Sequence, residues 1–139
     1  MTRTIKVLLV DDHTVIREGV RRMLSGEPDI VVVGEASSGE EALQRAQELA
    51  PHVVLMDIRM PGMSGTEAAR RIKKASPTIA VIMLTVYDSD AYVVEAIQAG
   101  AAGYLTKDVP RELLCHAIRS VVDGGTMVRS DLLQRAMDA

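Results

Sequence analysis

Five short and almost wholly apolar runs, each followed by a stretch of helical period, constrain this chain more than any other feature. Ile5-Lys6-Val7-Leu8-Leu9-Val10, residues 30–33, Val53-Val54-Leu55-Met56, residues 79–85 and Gly103-Tyr104-Leu105-Thr106 read as strands. Their brevity and their valine and isoleucine content suit strands covered on both faces. Between them the apolar spacing switches to three and four. Val15, Ile16, Val20, Met23 and Leu24 mark the inward face of a first helix, and Ala42, Leu43, Ala46 and Leu49 that of a second. Ala68, Ala69 and Ile72, then Val93, Ala96 and Ile97, then Leu114, Ala117, Ile118, Val121 and Val122 mark three more.

Punctuation agrees with the periodicity. Ser25-Gly26 with Pro28, Pro51, Ser76-Pro77, Gly100 and Gly124-Gly125 stop the helices. Ser38-Gly39-Glu40-Glu41 and Ser64-Gly65-Thr66-Glu67 have the spacing of capping boxes, Asp88-Ser89-Asp90 can cap the fourth helix, and Pro110 suits a first turn. A strand–helix unit repeated five times, with right-handed crossovers, predicts an α/β fold. It is a (βα)5 doubly wound parallel five-stranded sheet with helices on both faces.

In such a sheet every strand points its carboxyl end to one edge, where open α/β folds bind their ligands. Asp11-Asp12 follow the first strand, Asp57 the third and Lys107 the fifth, while Thr85 ends the fourth. Singly each has an ordinary explanation: Asp12 could cap a helix, Asp57 a turn closed by Pro61-Gly62, and most lysines are solvated. Together they place three carboxylates, a hydroxyl and an ammonium on one edge. Clustered carboxylates repel unless a divalent cation joins them, and an all-oxygen set selects magnesium or manganese. A hydroxyl and an ammonium opposite can hold phosphoryl oxygens, and a carboxylate can itself accept the phosphoryl group.

Other classes fit less well. A net charge of −3 argues against direct nucleic acid binding by this segment. No apolar run approaches a membrane span. One cysteine, Cys115, forms no internal disulfide, fits a reducing cytoplasm and reads as a structural thiol. Three histidines and one cysteine give no zinc-type cluster, so His13 reads as a surface residue and Met60, Met63 and Met83 as packing. No G-x-G-x-x-G follows the first strand, which removes a dinucleotide site.

At this point the chain resembles the receiver domain of bacterial two-component response regulators, over roughly residues 4–125. The resemblance rests on Asp11-Asp12, on Asp57-Ile58-Arg59-Met60-Pro61-Gly62, on Thr85 and on Gly103-Tyr104-Leu105-Thr106-Lys107-Asp108. The Asp57 stretch, with Gly100-Ala101-Ala102-Gly103-Tyr104-Leu105, is similar to the NarL/FixJ (LuxR-type) subfamily. It implies a flavodoxin/CheY-like fold and a signalling switch in place of an enzyme, cytoplasmic and without membrane attachment. It also implies that Asp57 accepts phosphate from a sensor histidine kinase. By the same resemblance Asp12, Asp57 and the backbone carbonyl of Arg59 bind Mg2+ (or Mn2+), with Asp11 assisting through water. Thr85 and Lys107 contact the phosphoryl group, and Thr85 and Tyr104 form the switch. A haloacid-dehalogenase-type phosphatase would need a second Asp where Arg59 stands. A receiver that takes no phosphate would lack some of these side chains, and none is missing.

One departure is Val86, where the family commonly has a small residue; its branched side chain is expected to narrow access to Asp57. The only aromatics, Tyr87, Tyr92 and Tyr104, fall between the fourth and fifth strands. That placement suggests a partner surface built from the fourth helix, fifth strand and fifth helix. Residues 1–125 are expected to form the receiver domain. Residues 126–139, with Leu132, Leu133 and Met137 at helical spacing, are expected to form a linker. It would lead to a helix-turn-helix DNA-binding output domain absent from this chain, and a phosphorylation-dependent homodimer is a further expectation.

Overall fold

A computed structural model describes residues 4–86 and 90–124. The elements are β1 (Ile5–Val10), α1 (Thr14–Leu24), β2 (Ile30–Ala36), α2 (Gly39–Leu49), β3 (Val53–Met56), α3 (Gly65–Ala75), β4 (Ala80–Thr85), α4 (Asp90–Gln98), β5 (Gly103–Thr106) and α5 (Arg111–Val122). All neighbouring strands pair in parallel, in the order β2-β1-β3-β4-β5. This is the doubly wound (βα)5 sheet expected from the alternation.

Strand period two divides the core into two layers. Val7, Leu9, Val53, Leu55, Ile82 and Leu84 face α1 and α5, where Leu114, Ile118 and Leu24 complete the packing. Leu8, Val10, Val54, Met56, Val81 and Met83 face the other way, against Ala42, Ala46, Ala68, Ile72, Val93 and Ala96. Each such side chain, buried fully, contributes roughly 1.5–3 kcal/mol before the ordering entropy is set against it. The sheet is therefore a stiff plate, and its carboxyl edge is a fixed place to mount chemistry.

Several details differ from expectation. β2 runs on through Gly34, Glu35 and Ala36, because the register skips a residue between Val7 and Leu8 and pairing then resumes. β4 begins one residue later than expected, since Ile79 N–H closes a turn to the Ser76 carbonyl. Val15 is 77% exposed. Five residues before Val20, it lies about 140° around the helix from the buried face. Pro110 stands just before α5, as its N-cap with extended backbone, and the first helical residue is Arg111.

The capping boxes are only half formed. Ser38 and Ser64 accept the backbone N–H of Glu41 and Glu67 as expected. The Glu41 carboxylate, however, reaches one residue further back, to Ser37 N–H and Oγ, and Glu67 turns outward to Arg70 and Arg71.

Candidate functional site

β1 and β3 leave the sheet side by side, with Val10 opposite Met56. Asp57 N–H donates to the Val10 carbonyl (3.0 Å) and Asp11 N–H to the Ala36 carbonyl (3.1 Å), so the ladder continues one residue past each strand. The unexpected end of β2 thus braces the acidic loop. From α1, Arg17 donates to the Asp11 carbonyl and to Glu35 Oε1 (3.0 Å). The Glu35 carboxyl is held below the usual range by hydrogen bonds from Arg21 and, against its partial burial, from Arg17.

Lys107 enters from the far side of the sheet. Its backbone N–H donates to the Thr85 carbonyl (2.8 Å), and its Nζ lies 2.6 Å from Asp11 Oδ2 and 3.2 Å from Asp57 Oδ2. Asp11 and Asp57 are buried, at 6% and 4% exposed, and Asp12 is half-buried. Burial pushes the Asp57 carboxyl above its ordinary value. The Lys107 charge opposes that push without cancelling it, and the neighbouring Asp11 adds to it. Burial alone would lower the Lys107 ammonium, but hydrogen bonding to Asp11 and the charges of both carboxylates outweigh it and raise the pKa.

One lysine does not satisfy this cluster. Asp12 Oδ1 and Asp57 Oδ1 are buried and have no hydrogen-bond partner among the described residues. His13 Nδ1 lies 3.2 Å from Asp12 Oδ1 but outside hydrogen-bonding geometry; its hydrogen-bonding contact is Asp11 Oδ1, at 3.0 Å. Ligand atoms of Asp11, Asp12, His13 and Asp57 all fall within 4.8 Å of one another. Two orphaned oxygens amid uncompensated negative charge are the signature of a divalent cation site, since an unpaired buried oxygen otherwise costs stability. These residues fit such an ion. The alternative for Asp12 as a helix cap finds no support: no bond from Asp12 to the first turn of α1 occurs among the described residues.

The edge argument therefore brings together Asp11, Asp12, Asp57 and Lys107 in direct or near contact. Thr85 is fully buried at the end of β4, tied to Lys107 through the backbone. Met83 pairs with Tyr104 and Thr85 with Thr106, so Thr85 and Tyr104 share one sheet face, two residues apart in register. Tyr104 is 9% exposed and packs in the layer that holds Val93, Ala96 and Ala99. Arg59 is exposed two residues past Asp57, and its guanidinium donates to Tyr92 Oη on α4 (3.0 Å). Val86 stands 66% exposed just after β4, and Tyr87 lies outside the described residues, as do residues 126–139. Met60 and Met83 are buried, Met63 packs against the same layer, and Cys115 is a buried thiol whose pKa burial raises.

Three contributors escaped the sequence reading. Arg17 carries only the weak signal of lying one helical turn past His13. Glu40, whose carboxylate accepts Met63 N–H (3.0 Å) and ties down the loop after β3, carries none. Gly65 is the third, packed against the backbone of Asp57 itself.

Residues 7–119 match the response regulator receiver domain family. Among curated relatives, the response regulator GacA of Pseudomonas protegens is 45% identical over 131 residues, covering 94% of this chain and 62% of that protein. The response regulator UvrY of Escherichia coli is 46% identical over 131 residues, covering 94% of this chain and 60% of that protein. The chain thus spans about three fifths of the length of these relatives. Among solved structures, a LuxR-family two-component response regulator from Aurantimonas sp. superposes with a TM-score of 0.86 at 34% identity, covering 97% of this chain and 96% of that one. The receiver domain of the putative response regulator NarL from Mycobacterium tuberculosis gives 0.84 at 38% identity, covering 88% and 98%. Fold, edge chemistry and kinship converge, and the chain belongs to the response regulator receiver domain family, among its NarL/FixJ (LuxR-type) members.

Proposed function

We propose that this chain is a phosphorylation-driven switch whose acceptor is Asp57 and whose donor is the phosphohistidine of a sensor histidine kinase. The observation that carries the reading is Asp57 itself: a buried strand-end carboxylate with one oxygen unpartnered and the other 3.2 Å from Lys107 Nζ. Asp12, Asp57 and the Arg59 carbonyl would hold Mg2+ or Mn2+, with Asp11 assisting through water. Once bound, the cation offsets the negative charge of the carboxylates and of the incoming phosphoryl group.

The chain's own residues do the rest. A carboxylate oxygen of Asp57 forms the new O–P bond as the donor's P–N bond breaks, and the electron pair returns to the imidazole nitrogen. Lys107, already mounted between Asp11 and Asp57, meets the arriving charge, and the Thr85 hydroxyl offers a second donor. Drawing Thr85 toward the phosphoryl group frees space on the sheet face it shares with Tyr104, which follows inward. Phosphate then favours one of two packings around α4, β5 and α5.

Because the relatives are longer, the output is also part of this proposal. Residues 1–125 act as the receiver, and residues 126–139 link it to a DNA-binding domain controlling transcription. Altered self-association, as a homodimer in the cytoplasm, would carry the signal.

Incubation with acetyl phosphate or phosphoramidate and Mg2+ is expected to add one phosphoryl group by intact mass, and none to Asp57→Asn. Equal labelling of the Asn variant would remove Asp57 from its role.

The switch has its own test. With the phosphate mimic beryllofluoride, amide shifts should move more across residues 90–114 than across α2 and α3. The site anchors that region at Thr85, Tyr104 and Lys107, whereas α2 meets the loop after β3 through Glu40 in its first turn and α3 meets Asp57 at Gly65. Tyr104→Ala should shrink the distal shifts while leaving Asp57 competent. A tenfold change in association needs only about 1.4 kcal/mol between the two packings. Shifts confined to the acidic loops, with unchanged sedimentation, would leave the switch surface without support.

A further inference from the structure

His13 was read from sequence as a surface residue, and its side chain is indeed 64% exposed. Its ring nevertheless turns back toward the acids. The His13 backbone N–H donates to Asp11 Oδ1 (2.9 Å), and ring Nδ1 lies 3.0 Å from that same oxygen and 3.2 Å from Asp12 Oδ1. A nitrogen donor therefore stands among the carboxylates, with the buried, unpartnered Oδ1 of Asp57 belonging to the same cluster. Lys107 already neutralises the other side of that cluster, at Asp11 Oδ2 and Asp57 Oδ2. The side still lacking charge is the one His13 borders.

We infer that the site is a mixed nitrogen–oxygen one, in which His13 Nδ1 joins Asp12 and Asp57 around imidazole-seeking divalent ions such as Ni2+, Cu2+ or Zn2+. Around Mg2+ the ring stands aside. This rests on the reading that the acidic cluster holds a cation, and it adds a ligand and a selectivity to it. The chemistry follows from ligand softness. Mg2+ is a hard ion that keeps oxygen and water, whereas the later first-row ions gain from an imidazole ligand. A histidine that only pairs with Asp11 would affect all these ions alike, through the charge and position of that carboxylate. One that ligates separates them. His13 also ends the loop as the N-cap of α1 without using its side chain as a cap, so the ring is not committed to the helix.

The test uses the whole chain, with His13→Asn as the variant because asparagine is a good N-cap and the position is exposed. Titration with Mg2+, Mn2+ and Ni2+ should show Ni2+ affinity falling tenfold or more in His13→Asn, with Mg2+ and Mn2+ affinity changed less than twofold. Pulsed EPR of bound Cu2+ in protein carrying 15N-labelled histidine should show coupling to a histidine nitrogen, lost in His13→Asn. His52 and His116 are the only other histidines, so loss on this one substitution assigns the ligand. Cu2+ that binds without histidine coupling, or equal loss of affinity for all three titrated ions, overturns the inference and leaves the cation site standing. Failure of every ion to bind the wild-type chain overturns both.

Discussion

Lys107→Met is expected to destabilise the cation-free protein by about 3 kcal/mol or more, and by less when Mg2+ is saturating. The side chain is 10% exposed and is the direct cationic partner of Asp11 and Asp57, themselves buried. Removing one member of a buried ion pair leaves the other charge stranded, which costs roughly 3–5 kcal/mol. A cation stabilises the folded wild type as well, so it narrows this gap only by as much as it binds the variant more tightly, about 1.4 kcal/mol for each tenfold. Urea unfolding in EDTA and in excess Mg2+ separates the two conditions.

The direction of the pKa shifts fixes further signs. Asp57 is raised, so the folded state holds its proton more readily than the unfolded chain. Its contribution is full at acid pH and lost as pH rises through the raised value. Ionised Asp57 is therefore a net cost at neutral pH without a cation, and Asp57→Asn should recover part of the Lys107→Met loss in a double-mutant cycle. Lys107 is also raised, so its stabilising effect holds through neutral pH and fades only above the ordinary lysine range. A loss below about 1 kcal/mol for Lys107→Met in EDTA, unchanged by Mg2+, would mean that the buried pair carries no such weight.

That pair also marks where the sequence stops being informative. Alternating apolar runs disclosed the sheet, and a parallel sheet disclosed which polar residues share an edge. The edge alone could not say that Lys107 would bond Asp11 more closely than Asp57, because the partners are 96 residues apart and meet only through the strand order. β2 was cut short because Gly34 and Glu35 break its apolar run. It continues since Arg17 and Arg21 neutralise Glu35 and the ladder to β1 reforms after a skipped residue. Val15 was misplaced by reading spacing without phase. The acidic cluster itself was legible because chemistry forces unlike residue types onto one edge. The supports behind it, Arg17, Glu40 and Gly65, use residue types found in any loop or helix.

Gly65 has the largest consequence among those supports, and Gly65→Ala is expected to cost about 3 kcal/mol or more and to impair phosphorylation together with stability. A Cβ at this position would lie 1.8 Å from the Asp57 carbonyl oxygen and 3.0 Å from the Ile58 Cα. No flexible side chain can yield there, because both neighbours are main chain. Asp57 N–H is bonded to Val10, and Gly65 N–H is bonded to the Ile58 carbonyl at 2.7 Å. Overpacking of even a yielding core costs roughly 1–3 kcal/mol, and backbone against backbone exceeds that. Relief requires either the start of α3 or the end of β3 to move, and the second displaces Asp57, the proposed acceptor. Gly19→Ala is the matched control: it lies inside α1 with nothing within 4 Å of an added Cβ. Helix propensity then predicts a gain of up to about 1 kcal/mol. Urea midpoints for both variants, with acetyl phosphate labelling of whatever remains folded, give the comparison. If Gly65→Ala stays within about 0.5 kcal/mol of wild type and labels at the same rate, α3 is free to slide from β3. The close approach that seats Asp57 would then have no energetic role.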